Sequence, residues 1–115
     1  MNLRAILATL WLLAISVLSI IPIQKGEGVS AILDLGHIGV YTILAILWSF
    51  ALKDRVKRIV TSVASVPITE FLQLFIPWRK ANLMDIANNA LGVILGLLAF
   101  TLIVKVTQTR KKTEN

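Results

Sequence analysis

EFLQLFIPWRKANLMDIANNALGVILG, residues 70–96, joins two apolar runs through a Pro-Trp-Arg-Lys break. Glu70 and Gln73 sit close to the end of the first run, and Asp85, Asn88 and Asn89 open the second. Read as membrane helices, the runs form a hairpin whose polar groups stand at one edge of the bilayer. Ionisable side chains are costly at that depth and normally face partners or a functional cavity. Glu70 lies about six residues before the end of its run, hence roughly 9 Å below it. It is the deepest charge that the sequence offers.

Composition supports a membrane setting. The 115 residues are 57% hydrophobic and 16% charged, with a mean hydropathy of +0.81. Soluble domains are about half apolar and about a quarter charged. The excess is collected into runs at 5–23, 31–52, 59–76 and 83–104, which predict four transmembrane helices in one compact all-α bundle (domain 1–106). A polar basic tail, 107–115, is expected to be disordered. The second apolar core, Ile38 to Leu52, is short, so its helix must start earlier, with Ser30 as cap, and include Asp34 and His37. Pro67 falls inside the third run and is expected to kink it. The first run is long for a secretory signal and is not followed by a small-x-small cleavage pattern.

The net charge of +6 could point to nucleic acid. The basic residues, however, fall between the apolar runs and at the C-terminus. With an inside N-terminus, Arg4, Lys53, Arg55, Lys57, Arg58, Lys105, Arg110, Lys111 and Lys112 lie inside, and only Lys25, Arg79 and Lys80 outside. That is nine of the 12 basic residues against three. The asymmetry predicts a cell-membrane protein with both termini cytoplasmic, and no nucleic-acid partner. Cysteine is absent, which excludes disulfides and thiolate metal sites.

In this orientation the polar groups gather at the outer end, and the inner halves of the helices read as featureless. Residues three, four and seven apart share a helix face. His37 and Tyr41 share one with Asp34, Glu70 shares one with Gln73, and Asp85, Asn88, Asn89, Gly92 and Gly96 form a stripe. Plainer roles compete for each. Asn82 and Asp85 resemble a capping box. Gly92 and Gly96 make a small-xxx-small packing pair. Asn88 and Asn89 suit interhelical hydrogen bonds, Arg79 and Lys80 suit lipid phosphates, and Arg79 could pair with Glu70. Glu70 is the hardest to explain without a function.

At these residues the chain resembles the VanZ-like family of small multi-pass membrane proteins. The first matching block is His37 and Tyr41. The second is Glu70, Gln73, Pro77, Arg79, Asp85, Asn89, Gly92 and Gly96. The aspartate that the family places four residues before its histidine is shifted here to Asp34, and the neighbouring lysine is missing. The resemblance implies a plasma-membrane protein of the cell envelope, through the namesake's link to teicoplanin resistance, but it brings no reaction with it.

Three functions follow from the residues. The first is a binding or accessory role toward a membrane lipid or lipid-linked envelope precursor, with Arg79, Gln73, Tyr41, Asn88 and Asn89 as ligand contacts. The second is an intramembrane enzyme with Glu70, His37 and Asp85 as catalytic candidates. The third is a small transporter. No cofactor is expected, and a metal held by His37, Glu70 and Asp85 has no recognisable ligand spacing. So small a bundle suggests a homodimer through the Gly92/Gly96 face.

Overall fold

The computed structural model describes residues 2–20, 29–73, 75 and 83–114, with side chains at 2–18, 35–72, 75 and 83–113. These residues form four α-helices: α1 Leu3–Ile20, α2 Val29–Ala51, α3 Arg55–Gln73 and α4 Leu83–Glu114. Helix starts carry local capping chemistry. Asn2 accepts the Ala5 amide on its side-chain oxygen at 2.8 Å, and Asp54 accepts the Val56 amide at 3.1 Å. Asp54 thereby starts α3 inside the basic segment expected to be a loop, putting Arg55, Lys57 and Arg58 on the helix. α2 begins at Val29, so Ser30 lies within the helix, not at its cap. α3 runs through Pro67 without interruption.

α4 departs furthest from expectation. It has 32 residues, about 48 Å, and carries the presumed disordered tail as helix to Glu114. Neither glycine nor proline interrupts it after Gly96. Thr107, Thr109 and Thr113 return their hydroxyls to the carbonyls four residues back, and Lys111 and Lys112 complement the carbonyl end of the helix.

Contacts fix the helix directions. Trp11 of α1 donates its indole N–H to the Val40 carbonyl at 3.0 Å, while Asn2 and Arg4 reach the Ala51 and Phe50 carbonyls. α1 is therefore antiparallel to α2. Gly92 meets Ile38 and Tyr41, and Gly96 meets Thr42 and Ala45. Four residues along α4 match four along α2, so these two run parallel. Glu70 meets Asn89, while Val63, Val66 and Pro67 line a groove with Ala90, Val93 and Ile94. α3 is thus antiparallel to α4, and the bundle is up-down-up-down. Phe50, Arg58 and Phe100 meet at the end that holds Asn2, so the chain's N-terminus and the far part of α4 lie toward the same end.

α2 is the hub, packing on all three other helices, whereas α1 and α4 do not meet among the described residues. The core is thin: Ile15, Tyr41, Leu44, Ala45, Val66 and Val93. Outward faces are apolar instead, with Leu10, Leu13 and Val17 of α1, Val60, Val63 and Phe71 of α3, and Ile94, Leu98 and Leu102 of α4 all exposed. Among the described residues, α4 over Leu83–Thr113 is the one helix long and apolar enough to cross a membrane, and only 22% of its apolar window is buried. The apolar segments of α1 and α2, Leu3–Leu18 and Leu35–Ala51, are shorter.

Candidate functional site

The two glycines set how closely α4 approaches α2. A β-carbon on Gly92 would stand 2.5 Å from the Ile38 carbonyl oxygen. One on Gly96 would stand 2.5 Å from that of Thr42 and 2.6 Å from Ala45 Cβ. Only hydrogen fits at either position. The Thr42 hydroxyl uses this proximity, lying 2.7 Å from its own helix's Ile38 carbonyl and 3.1 Å from the Gly92 carbonyl. The packing role read for the glycine pair is therefore fulfilled within one chain. Among the described residues, α2 of the same chain covers this face.

The polar stripe of α4 divides between two neighbours. Gly92 and Gly96 face α2, whereas Asn89 faces α3 and donates its amide to Glu70 Oε1 at 3.1 Å. Both partners are buried, Glu70 at 7% exposure and Asn89 at 2%. The glutamate that the sequence left without a certain partner is met by the asparagine expected to bridge helices. Any bond from Arg79 involves a residue outside those described.

Tyr41 enters the same layer from α2, and its hydroxyl forms a short hydrogen bond with Thr69 Oγ1. Proton accounting assigns the donor. Thr69 has one hydroxyl proton and uses it on the Ser65 and Val66 carbonyls of its own helix. Tyr41 must then donate and Thr69 accept. Tyr41 is 1% exposed, so its hydroxyl is a strut between α2 and α3. Tyr41, Thr69, Glu70 and Asn89 together tie three helices in one polar layer.

Beside this layer lie His37, one turn before Tyr41, and Asn88, next to Asn89, both half-buried. The glycine register places Asn88, four before Gly92, level with the turn of α2 that holds Asp34 and His37. His37 Nδ1, Asn88 Nδ2 and Asn89 Oδ1 are buried and lack a hydrogen-bond partner among the described residues. Asp85 stands half-buried in the first turn of α4, where the helix dipole favours its charge. The Gln73 and Asp34 side chains, Asn82, Arg79 and Lys80 are outside the described residues. Among those described, no three His, Asp or Glu side chains converge as metal ligands, so His37, Glu70 and Asp85 do not form a three-ligand centre.

Two features escaped the sequence reading. Thr69 sits about 100° around the helix from Glu70, off the face on which Glu70 and Gln73 were grouped. The half of the bundle expected to face inward is also not featureless: Ser49, Ser62 and Ser65 are buried there. The available signal was the spacing of Ser62, Ser65 and Thr69 at three and four residues, a polar face on a helix already containing Glu70.

Comparison with protein-family models, with curated proteins and with solved structures gives no match to this chain.

Proposed function

We propose that the chain is an integral cell-membrane protein of the VanZ-like kind, crossing four times with both termini cytoplasmic. In this reading it binds the polar head of a lipid or lipid-linked envelope precursor at its outer end. The observation that carries the ligand role is the set of buried atoms with no partner among the described residues, His37 Nδ1, Asn88 Nδ2 and Asn89 Oδ1, around the Glu70–Asn89 pair. A polar atom buried without a partner costs ~1–3 kcal/mol. Three at one end of a small bundle suit a ligand that supplies both donors and acceptors.

The membrane setting is supported by the apolar exterior, since soluble monomers rarely expose large contiguous apolar patches. Helices of 18, 23, 19 and 32 residues reach roughly 27, 35, 29 and 48 Å against a hydrocarbon core of ~30 Å. Arg55, Lys57 and Arg58 at the start of α3 can extend their charges toward headgroups. Arg79 and Lys80, in the connection from α3 to α4, provide cations for a phosphate at the opposite end.

The test is thermal unfolding of the purified chain in detergent with added phosphatidylcholine, phosphatidylethanolamine, phosphatidylglycerol or a long-chain polyprenyl phosphate. Selective stabilisation by one headgroup class is expected, worth about 2.7 kcal/mol at a hundredfold excess over Kd. Equal response to all four would remove the binding reading.

A further inference from the structure

The α2–α3 interface contains a second pair of unsatisfied groups, two helical turns inward from Tyr41 and Thr69. The helices are antiparallel, so each step forward along α2 corresponds to one step back along α3. Three residues on, the register pairs Leu44 with Val66, and both belong to the buried apolar core. Seven residues on, the same register sets Trp48 opposite Ser62. Seven residues is nearly two full turns, so both remain on the faces that turn toward each other.

Trp48 Nε1 and Ser62 Oγ are both buried, and neither has a hydrogen-bond partner among the described residues. Ser62 is 0% exposed. The nearby hydroxyls offer no relief: Ser49 is committed to the Ala45 carbonyl at 2.7 Å and Ser65 to the Thr61 carbonyl at 2.9 Å. An indole N–H only donates, whereas a serine hydroxyl donates and accepts. Two such atoms at one level, with no direct bond between them, can be joined by a small molecule that accepts from one and bonds with the other.

We propose that a single buried water bridges Trp48 Nε1 and Ser62 Oγ between α2 and α3. Buried waters in proteins characteristically occupy positions where two to four otherwise unsatisfied polar groups converge. The bridge ties α2 to α3 in the inner half of the bundle as the Tyr41–Thr69 bond does in the outer half, and it gives the Ser62–Ser65–Thr69 face a polar partner along its length. It stands independently of the lipid-binding reading.

A crystal structure of the full chain grown from a lipid mesophase, at a resolution that resolves ordered water, tests the assignment. A density peak within ~2.7–3.2 Å of both atoms is expected, and it should be lost in Trp48→Phe, which removes the N–H and keeps an aromatic ring. A direct Trp48–Ser62 hydrogen bond, or a dry contact in the wild type, would overturn the proposal. So would a peak that stays unchanged in Trp48→Phe. The wild-type result decides alone if the variant fails to fold.

Discussion

Asn89 donates its side-chain amide to Glu70 across the α3–α4 interface at 3.1 Å, with both residues buried beside the Tyr41–Thr69 bond. Removing the donor takes one hydrogen bond from a buried carboxyl group. Asn89→Ala is therefore expected to destabilise the protein by ~1–3 kcal/mol. Replacing both residues, as in Glu70→Leu with Asn89→Leu, should recover part of that loss, because neither half of this hydrogen bond is then left buried without the other. Reversible unfolding in mixed micelles measures both. Additive losses in the double variant would show that the two side chains are not coupled.

The glycine contact makes a sharper steric prediction. Gly92→Ala and Gly96→Ala each drive a methyl group to 2.5 Å from a backbone carbonyl oxygen of α2. Backbone cannot retreat as a flexible side chain can, so each should cost ~1–3 kcal/mol or more. Gly36→Ala and Gly39→Ala are the controls, since a β-carbon there meets nothing within 4 Å. The same micelle assay should find the controls neutral or slightly stabilising, as alanine is the better helix former.

The Tyr41–Thr69 bond should behave as a modest interhelical strut. Tyr41→Phe and Thr69→Val each remove one half of it while conserving shape. A double-mutant cycle should return a coupling of about 0.6 kcal/mol, with an upper bound near 1.7 kcal/mol, the range of side-chain hydrogen bonds between membrane helices. A coupling of zero would mean that the two hydroxyls find other partners.

Much of this arrangement was legible in the sequence. Apolar runs separated by basic or turn-rich segments gave the four helices, and the spacing of Glu70, Asn89, Gly92 and Gly96 marked side chains that do meet other helices. The partner of each was not legible. Helical spacing groups residues on a face but does not say which neighbour that face meets, so the glycine pair marked a close helix approach without naming α2 as the helix. Thr69 was hidden for a related reason: it lies a third of a turn from Glu70, and one residue's face cannot reveal the adjacent interface. The end of α4 was misjudged because polarity was read as disorder. No glycine or proline breaks the helix there, and basic residues suited to its C-terminal end favour its continuation to Glu114.

Orientation has a direct check, since the chain has no cysteine to confuse labelling. A membrane-impermeant maleimide applied to intact cells should modify Gly28→Cys and spare Thr113→Cys, as the nine-to-three division of basic residues requires. Labelling of both, or of Thr113→Cys alone, would contradict the four-span topology.

The proposed ligand role rests on His37 Nδ1, Asn88 Nδ2 and Asn89 Oδ1, buried without a partner among the described residues. Lipid retention on purified His37→Phe and Asn88→Leu variants, read by native mass spectrometry beside their unfolding midpoints, tests this most directly. The prediction is that headgroup-selective lipid adducts disappear in both variants while the midpoints hold or rise, because the substitutions remove buried atoms that have no partner among the described residues. Adducts that persist unchanged in both folded variants would contradict it.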